Sequence, residues 1–445
     1  MKLLTRLKPL IAACLLYPGT LLAQDKPATT VATDSLTLEQ CVNFALENRA
    51  AVEQARIDEA IGEREIKASL SGWFPQIAAT YGGNYNIKRQ RQPFGDEIVE
   101  VGQKYNSSIA LQATQNIFNS ELLLASRASR SRRLLLGQQV TSTRINTVVE
   151  VSKAFYDVLL TQEQLRILDL NIARQEKQFN DARSRYEVGL VDKTDYQRAA
   201  ITLANIRADR KRAEEGIKAG VAYLKQLMGY PVDQELKLTH NYSRMEQEVL
   251  ADTTQALAYD NRIELQQLQT QRQLLRLNTA YTRTGFLPTV SAFGNYNLLY
   301  FNNNLSDLYN QSYPTSAVGL QVSLPIFQGT RRWQNVKIAQ LEEDRLDVEI
   351  ENTRRVLNTE YQTALANYKS DCTEWRTLQN NLKMAEEVYE IIRLQYNEGV
   401  KAYVELVVAE TELRSTQINY YNALYNLLSS KLDLQRALGN IDTNR

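Results

Sequence analysis

The chain is written twice. Ala45-Leu-Glu-Asn-Arg49 returns as Ala258-Tyr-Asp-Asn-Arg262, and Phe74-Pro75-Gln-Ile77 returns as Leu287-Pro288-Thr-Val290, both 213 residues later. Asn116-Ile-Phe118 corresponds to Pro325-Ile-Phe327, and Arg185-Tyr-Glu-Val-Gly189 to Gln395-Tyr-Asn-Glu-Gly399, at offsets of 209 and 210. The halves also close alike, on Leu227-Met-Gly229 and Ala437-Leu-Gly439. The matches keep their order along the whole chain, so the sequence is an internal duplication. Any architecture assigned to one half must be available to the other.

Each half reads as a helix, a pair of strands and a pair of very long helices. Apolar residues at helical spacing (Val42, Ala45, Leu46, Val52, Ala55, Ile57) predict a helix over Leu38–Leu70, with Thr37 as its cap and Pro75 as its stop. The period then changes to two. Ile77, Ala79, Tyr81, Tyr85 and Ile87 fall on one face and Gln76, Thr80, Asn84 and Asn86 on the other, the pattern of a strand. A polar loop, Lys88 to Lys104, leads to a second strand through Ile109, Leu111 and Ala113. The second half repeats the hairpin through Val290–Leu298 and Val318–Leu324, around the Asn-rich loop 302–312. Long helices follow at Ser142–Tyr186 and Asp192–Met228, and again at Leu357–Tyr396 and Tyr403–Leu438. About 45 residues make roughly 68 Å of helix, so these pairs should form coiled-coil hairpins.

These strands are long, punctuated by tyrosines, and faced with Asn, Gln, Ser and Thr, as in a transmembrane barrel. A soluble sheet with one core face is the plainer reading. Four strands cannot close a barrel, which needs about eight or more, so a barrel would have to be shared between subunits. Three protomers would supply about 12 strands.

Composition removes other classes. The 52 Lys and Arg nearly cancel the 51 Asp and Glu, so no global field draws the chain to nucleic acid. The single histidine, His240, reads as a solvated linker residue, and neither a nucleophile–base constellation nor a metal cluster is visible, so no enzyme and no cofactor is expected. Residues 1–23 have the basic start, apolar middle and small final residue of a secretory signal; Ile11-Ala-Ala-Cys14 is a competing lipoprotein-like run that would lipidate Cys14. Cys41 and Cys372 sit in helical patterns and read as buried free thiols. No later stretch has the roughly 18 to 20 apolar residues of a spanning helix. The organisation is then signal 1–23, first repeat 24–228, connecting segment 229–250 and second repeat 251–445.

Several ordered motifs together carry a family resemblance: Leu36-Thr-Leu-Glu-Gln40, Trp73-Phe-Pro-Gln76, Arg185-Tyr-Glu-Val-Gly-Leu-Val191, Leu324-Pro-Ile-Phe-Gln-Gly329 and Tyr396-Asn-Glu-Gly399. In these the chain resembles the TolC family of outer-membrane efflux proteins over nearly all of its mature length. The resemblance implies an α+β membrane protein in the cell outer membrane, a homotrimer whose protomers each give four strands to a shared 12-stranded β-barrel. Long α-helices would continue it as a coiled-coil barrel in the periplasm. It also implies outer-membrane lipid around the barrel, and docking to a periplasmic adaptor (membrane fusion) protein and an inner-membrane pump, as the passive exit duct of an efflux or type I secretion system.

The same resemblance places adaptor contacts at the helix-tip turns, Val188, Gly189 and Leu190 in one repeat and Glu398, Gly399 and Val400 in the other. It places a periplasmic gate at Thr194, Asp195, Tyr396, Lys401 and Glu405. Val408 departs from the pattern, which can carry a second acidic residue there. The rival from another class is a periplasmic coiled-coil scaffold or adhesin without a pore.

Overall fold

The structure, a computed structural model, describes residues 35–189, 192–239, 245–246 and 249–443. The leader with Cys14, Leu190 and His240 lie outside them. Helices α1 (Leu38–Asn48) and α2 (Ala50–Leu70) come first, then strands β1 (Gln76–Tyr85), β2 (Gln90–Phe94), β3 (Glu97–Val101) and β4 (Tyr105–Phe118). Helices α3 (Ser120–Glu187) and α4 (Lys193–Met228) complete the first repeat. The second repeat holds α5 (Ile263–Thr284), β5 (Thr289–Asn302), β6 (Tyr313–Ser323), α6 (Arg331–Asn397) and α7 (Tyr403–Leu438).

Three expectations need correction. The long helices are longer than their apolar periodicity shows: α3 has 68 residues and α6 has 67, about 100 Å each. Their strand-side thirds are polar, rich in Ser and Arg in α3 and in Glu, Asp and Arg in α6, which hid the period but do not break a helix. The helix expected over 38–70 is two helices, because Arg49 adopts an extended conformation (φ −64°, ψ 128°). The expected loop Lys88–Lys104 contains the β2–β3 hairpin, closed by Gly95-Asp96 with Gly95 at φ 66°, a turn that needs glycine in its first central position.

The break at Arg49 serves a junction that occurs twice. The last residue of α4 is followed by Gly229 (φ 69°) and that of α7 by Gly439 (φ 74°). Both close the helix with a bond from the next residue back five positions, Tyr230 N–H to Lys225 O and Asn440 N–H to Gln435 O, each 2.9 Å. A Cβ on Gly229 would sit 2.4 Å from the Asn48 carbonyl oxygen, and one on Gly439 2.8 Å from that of Asn261. The neighbouring arginines lock the joint. Arg49 donates to Thr147 (3.2 Å) and Glu150 (2.5 Å) on α3; Arg262 donates to Glu360 on α6 (2.9 Å), to Glu264 and to the Ala437 carbonyl. The duplicated Asn-Arg motif is thus the partner of the duplicated Leu-Gly-like ending.

On the strand side of this junction the helices lie in the order α2, α3, α5, α6; on the other side α4, α3, α7, α6 lie side by side. The apolar core is concentrated at the junction level, where Phe155, Leu159 and Ile167 of α3 meet Leu224 and Met228 of α4 and Leu424, Leu427 and Leu434 of α7, all fully buried. Along α3 and α7 polar pairs recur about every 11 residues: Lys153–Asp433 (2.7 Å), Gln164–Asn422 (3.1 Å) and Gln175–Glu410. An 11-residue spacing is close to three full turns, so the three pairs lie along one seam.

The main sheet is antiparallel in the order β1-β4-β5-β6. Its register sets Ile77 against Ala113, Ala113 against Gly294 and Gly294 against Val318, with a second row of Tyr81, Ile109, Leu298 and Pro314. Apolar residues of all four strands therefore share one face. The other carries Thr80, Asn84, Gln112, Asn295, Asn297 and Thr315, interrupted by Phe293 and Phe301. None of the four strands contains an Asp, Glu, Lys or Arg. The apolar face is uncovered at its edges, Ile77 being 78% and Val318 89% exposed. Among the described residues no helix is long and apolar enough to cross a membrane.

Substituting Gly439→Ala should destabilise the protein by about 2 kcal/mol or more, since it combines left-handed strain with a backbone clash. Gly95→Ala has equal strain but open space around it and should cost about 1 kcal/mol. Thermal unfolding of the two variants side by side checks the difference.

Candidate functional site

The ends of the two helical hairpins farthest from the sheet gather most of the residues expected to act. Helix α3 stops at Gly189 (φ 76°), whose N–H reaches Tyr186 O at 2.9 Å; α6 stops at Gly399 (φ 76°), with Val400 N–H on Gln395 O at 2.9 Å. These left-handed glycines let each chain reverse within five residues. Val188, Gly189, Glu398, Gly399 and Val400 form the exposed apices, Val188 and Val400 being 70 and 71% exposed.

Just behind the apices the hairpins are fastened by aromatic side chains. Ala182 of α3, Ala199 of α4 and Tyr403 of α7 form a buried cluster, with Phe179, Tyr396 and Val407 against it. Tyr196 packs between Phe179 and Tyr186 at 5.4 and 6.0 Å. The Arg185 guanidinium lies over the Tyr396 ring at 5.5 Å, a contact that ties the first-repeat hairpin to the second.

The structure brings Asp195 and Tyr396 into one electrostatic neighbourhood. Burial raises the Tyr396 hydroxyl above its ordinary pKa; Arg185 opposes this, while Asp181 and Asp195 add to it. Tyr403 is raised further, first by burial and then by Glu410, Tyr396 and Asp195. Lys401 and Glu405 pair with each other at 2.5 Å at the start of α7, both part-exposed, and the lysine holds the Glu405 carboxyl below its usual value. Thr194 is exposed at the start of α4. The five expected gate residues therefore divide into one buried-side pair, one surface ion pair and one exposed hydroxyl.

Sequence reasoning missed a deeply buried charge behind the tips. Glu410 is 4% exposed and accepts hydrogen bonds from Gln175 and from Gln178 (2.9 Å) across the α3–α7 seam. Its second oxygen, the Gln175 side-chain oxygen and the Tyr403 hydroxyl are buried without a hydrogen-bond partner. Burial pushes its carboxyl upward in pKa, against the hydrogen bonds and the charges of Arg174 and Arg414. The signal was present: Tyr403, Leu406, Glu410 and Leu413 are consecutive positions of one helical stripe, and an acid in an apolar stripe must find a partner. Cys41 is buried, free, and pushed up to about 12 by burial, so it is an inert thiol; Cys372 is free and half-buried.

A charge-free sheet with one mainly apolar face, open at both edges and continued by two helices of about 100 Å that each fold back in a hairpin, fits the class of outer-membrane channels. The chain belongs to the Outer membrane efflux protein family, which it matches over residues 41–230 and 255–440, one stretch per repeat. It is 22% identical over 411 residues to the outer membrane protein TolC of Vibrio cholerae, covering 91% of each chain. It is equally 22% identical over 414 residues to the proteases secretion protein PrtF of Dickeya chrysanthemi, covering 90% of this chain and 87% of that one. Its fold matches the CmeC outer membrane channel of Campylobacter jejuni with a TM-score of 0.72 at 17% identity, over 92% of this chain and 87% of the other. The protein is accordingly an outer-membrane protein of the TolC-like efflux and secretion class.

A carboxyl whose pKa is raised by folding favours the folded state below the ordinary carboxyl value, and that contribution is lost as pH rises through the raised value. Glu410→Gln removes the buried charge and gives the orphaned Gln175 oxygen a donor. At about pH 8 it should stabilise the protein by roughly 1 kcal/mol. Near pH 4, around the ordinary carboxyl value, the gain should vanish. Melting curves at both pH values decide; equal melting at both would contradict the burial argument.

Proposed function

We propose that the protein is the passive exit duct of a tripartite efflux or type I secretion system. The observation that carries this reading is the sheet: its four strands hold no charged residue, keep most of their apolar residues on one face, and among the described residues leave both outer edges, β1 and β6, unpaired. Unpaired edges in lipid are untenable, so the sheet must continue into other copies of itself. Three protomers give a 12-stranded barrel, apolar outward and polar inward, and α2–α7 extend it as a tunnel into the periplasm. The relatives support the same reading by name, since they include both an outer membrane channel and a proteases secretion protein. The duct performs no chemistry; an inner-membrane pump supplies the energy.

In this assembly the apices Val188, Gly189, Leu190, Glu398, Gly399 and Val400 meet the periplasmic adaptor. The layer behind them is the gate. Asp195 would place three carboxylates near the three-fold axis, a ring that repels itself and prefers cations. Tyr396, clamped by Arg185, ties the two hairpins of each protomer, and the Lys401–Glu405 pair neutralises the second acidic position. Thr194 lines the approach. Opening is the outward movement of the hairpins, which must break these ties.

Single-channel conductance in a planar bilayer tests the reading. The wild-type protein should give small, cation-preferring currents. Asp195→Ala should raise them, because it removes a ring charge, and Glu405→Ala should raise them less, because its carboxylate is already paired with Lys401 within one hairpin. Conductance unaltered by either change would remove both from the gate. Well-folded protein that conducts nothing would favour a pore-free scaffold instead.

A further inference from the structure

The helices that leave the sheet carry a one-sided charge. Segments 120–133 of α3, 271–284 of α5 and 331–341 of α6 hold ten Lys and Arg against one acid, Glu121. All three segments lie at the sheet end of their helices: α3 begins two residues after β4, α5 ends five residues before β5, and α6 begins eight residues after β6. At 1.5 Å per residue the charges fill a collar about 20 Å deep. The fourth helix at this level, α2, contributes Glu63 and Glu65, which occupy Arg133 (2.6 Å) and Arg132 (3.5 Å). Arg272 is taken by Asp347 at 2.8 Å, and Arg332 lies over Phe286 at 5.0 Å.

Six cations are left over. Arg127, Arg130, Arg276, Arg283, Arg331 and Lys337 are all exposed, and among the described residues none makes an ion pair. Between them and the sheet is an exposed aromatic rim of Phe74, Phe286 and Phe327, with Trp333 exposed at the level of Arg331. The loop end of the sheet is built differently: its Lys88, Arg89, Arg91 and Lys104 are matched by Asp96, Glu97, Glu100 and Asp307, and Arg89 and Arg91 share Glu100. Of the two ends of the sheet, only the helix side therefore carries a net positive charge.

Aromatic rings settle at a membrane–water boundary, and guanidinium groups just beyond them lie where headgroup phosphates lie. Clustered cations also repel one another unless an anionic surface faces them. We propose that this collar binds the phosphates of anionic glycerophospholipids in the leaflet facing the helices. A dissolved phosphate offers the same charge, but only a lipid also covers the apolar rim beside the collar. The proposal rests on the reading of the sheet as membrane-embedded.

The test uses the full-length protein in nonionic detergent, titrated with phosphatidylglycerol, phosphatidylcholine or inorganic phosphate, with bound lipid counted by native mass spectrometry. It is compared with the triple variant Arg127→Gln, Arg130→Gln, Arg331→Gln, and the bilayer conductance and ion selectivity of both proteins are recorded. The wild type should prefer phosphatidylglycerol by about tenfold or more, because each cation near an anionic surface is worth about fivefold in binding. The variant should bind the two lipids alike and keep its conductance. Equal binding of both lipids by the wild type, or an unreduced preference in the variant, overturns the proposal. So does full displacement of phosphatidylglycerol by inorganic phosphate, or a variant with altered ion selectivity and unaltered lipid preference, which would put the arginines inside the duct. A wild-type protein that never conducts in any bilayer would instead fail the duct reading beneath it.

Discussion

The joint between a helix-ending glycine and the Asn-Arg turn of the same repeat is the constraint on which the rest of the molecule depends. Helices of about 100 Å have many ways to slide or splay against each other. At this joint Gly229 and Gly439 lie so close to the backbone of Asn48 and Asn261 that no side chain fits between them. Arg49 and Arg262 then fix the long helices through Glu150 and Glu360, residues at equivalent places in α3 and α6. A clash-limited contact and a charged hydrogen bond together set one register, and the apolar core is packed around it. Everything farther along the helices inherits its position from this level.

From the joint the molecule runs in two directions with opposite demands. Toward the sheet, charge falls away until four strands carry none, because only neutral side chains and paired backbone groups suit a lipid-facing wall. The first residues beyond that wall turn basic and aromatic, an abrupt change in a chain whose overall charges nearly cancel. Away from the sheet, the helices are held by spaced polar layers and by aromatic contacts rather than by a continuous apolar seam.

That second choice bears on movement. The α3–α7 seam is set in register by Lys153–Asp433, Gln164–Asn422 and Gln175–Glu410, and its fully buried apolar residues are concentrated at the junction level, so its tip end loses less buried apolar area when it parts. Near the tip the fastenings become fewer and more exposed, ending with Arg185 over Tyr396. A hairpin anchored firmly at the joint and loosely at its end is suited to bending outward at the end while the joint stays closed.

The sequence by itself determined the repeat, the kinds of element and their order, the strand faces and the tip turns, because these follow from local periodicity and from residues such as Pro75, Gly189 and Gly399. It left α3 and α6 about 22 and 26 residues short at their polar ends, because an amphipathic period marks what a helix buries rather than where it runs. It also hid the β2–β3 hairpin, whose exposed strands are held by backbone pairing and by Arg91–Glu100 rather than by a core. Only the tertiary structure decided that Arg49 meets Glu150, that Glu410 is buried against Gln175, and that Tyr396 rather than Glu405 ties the two hairpins. Those contacts join residues about 100 to 235 positions apart in the chain, and their partners are fixed by how long helices register against one another, which no local pattern encodes.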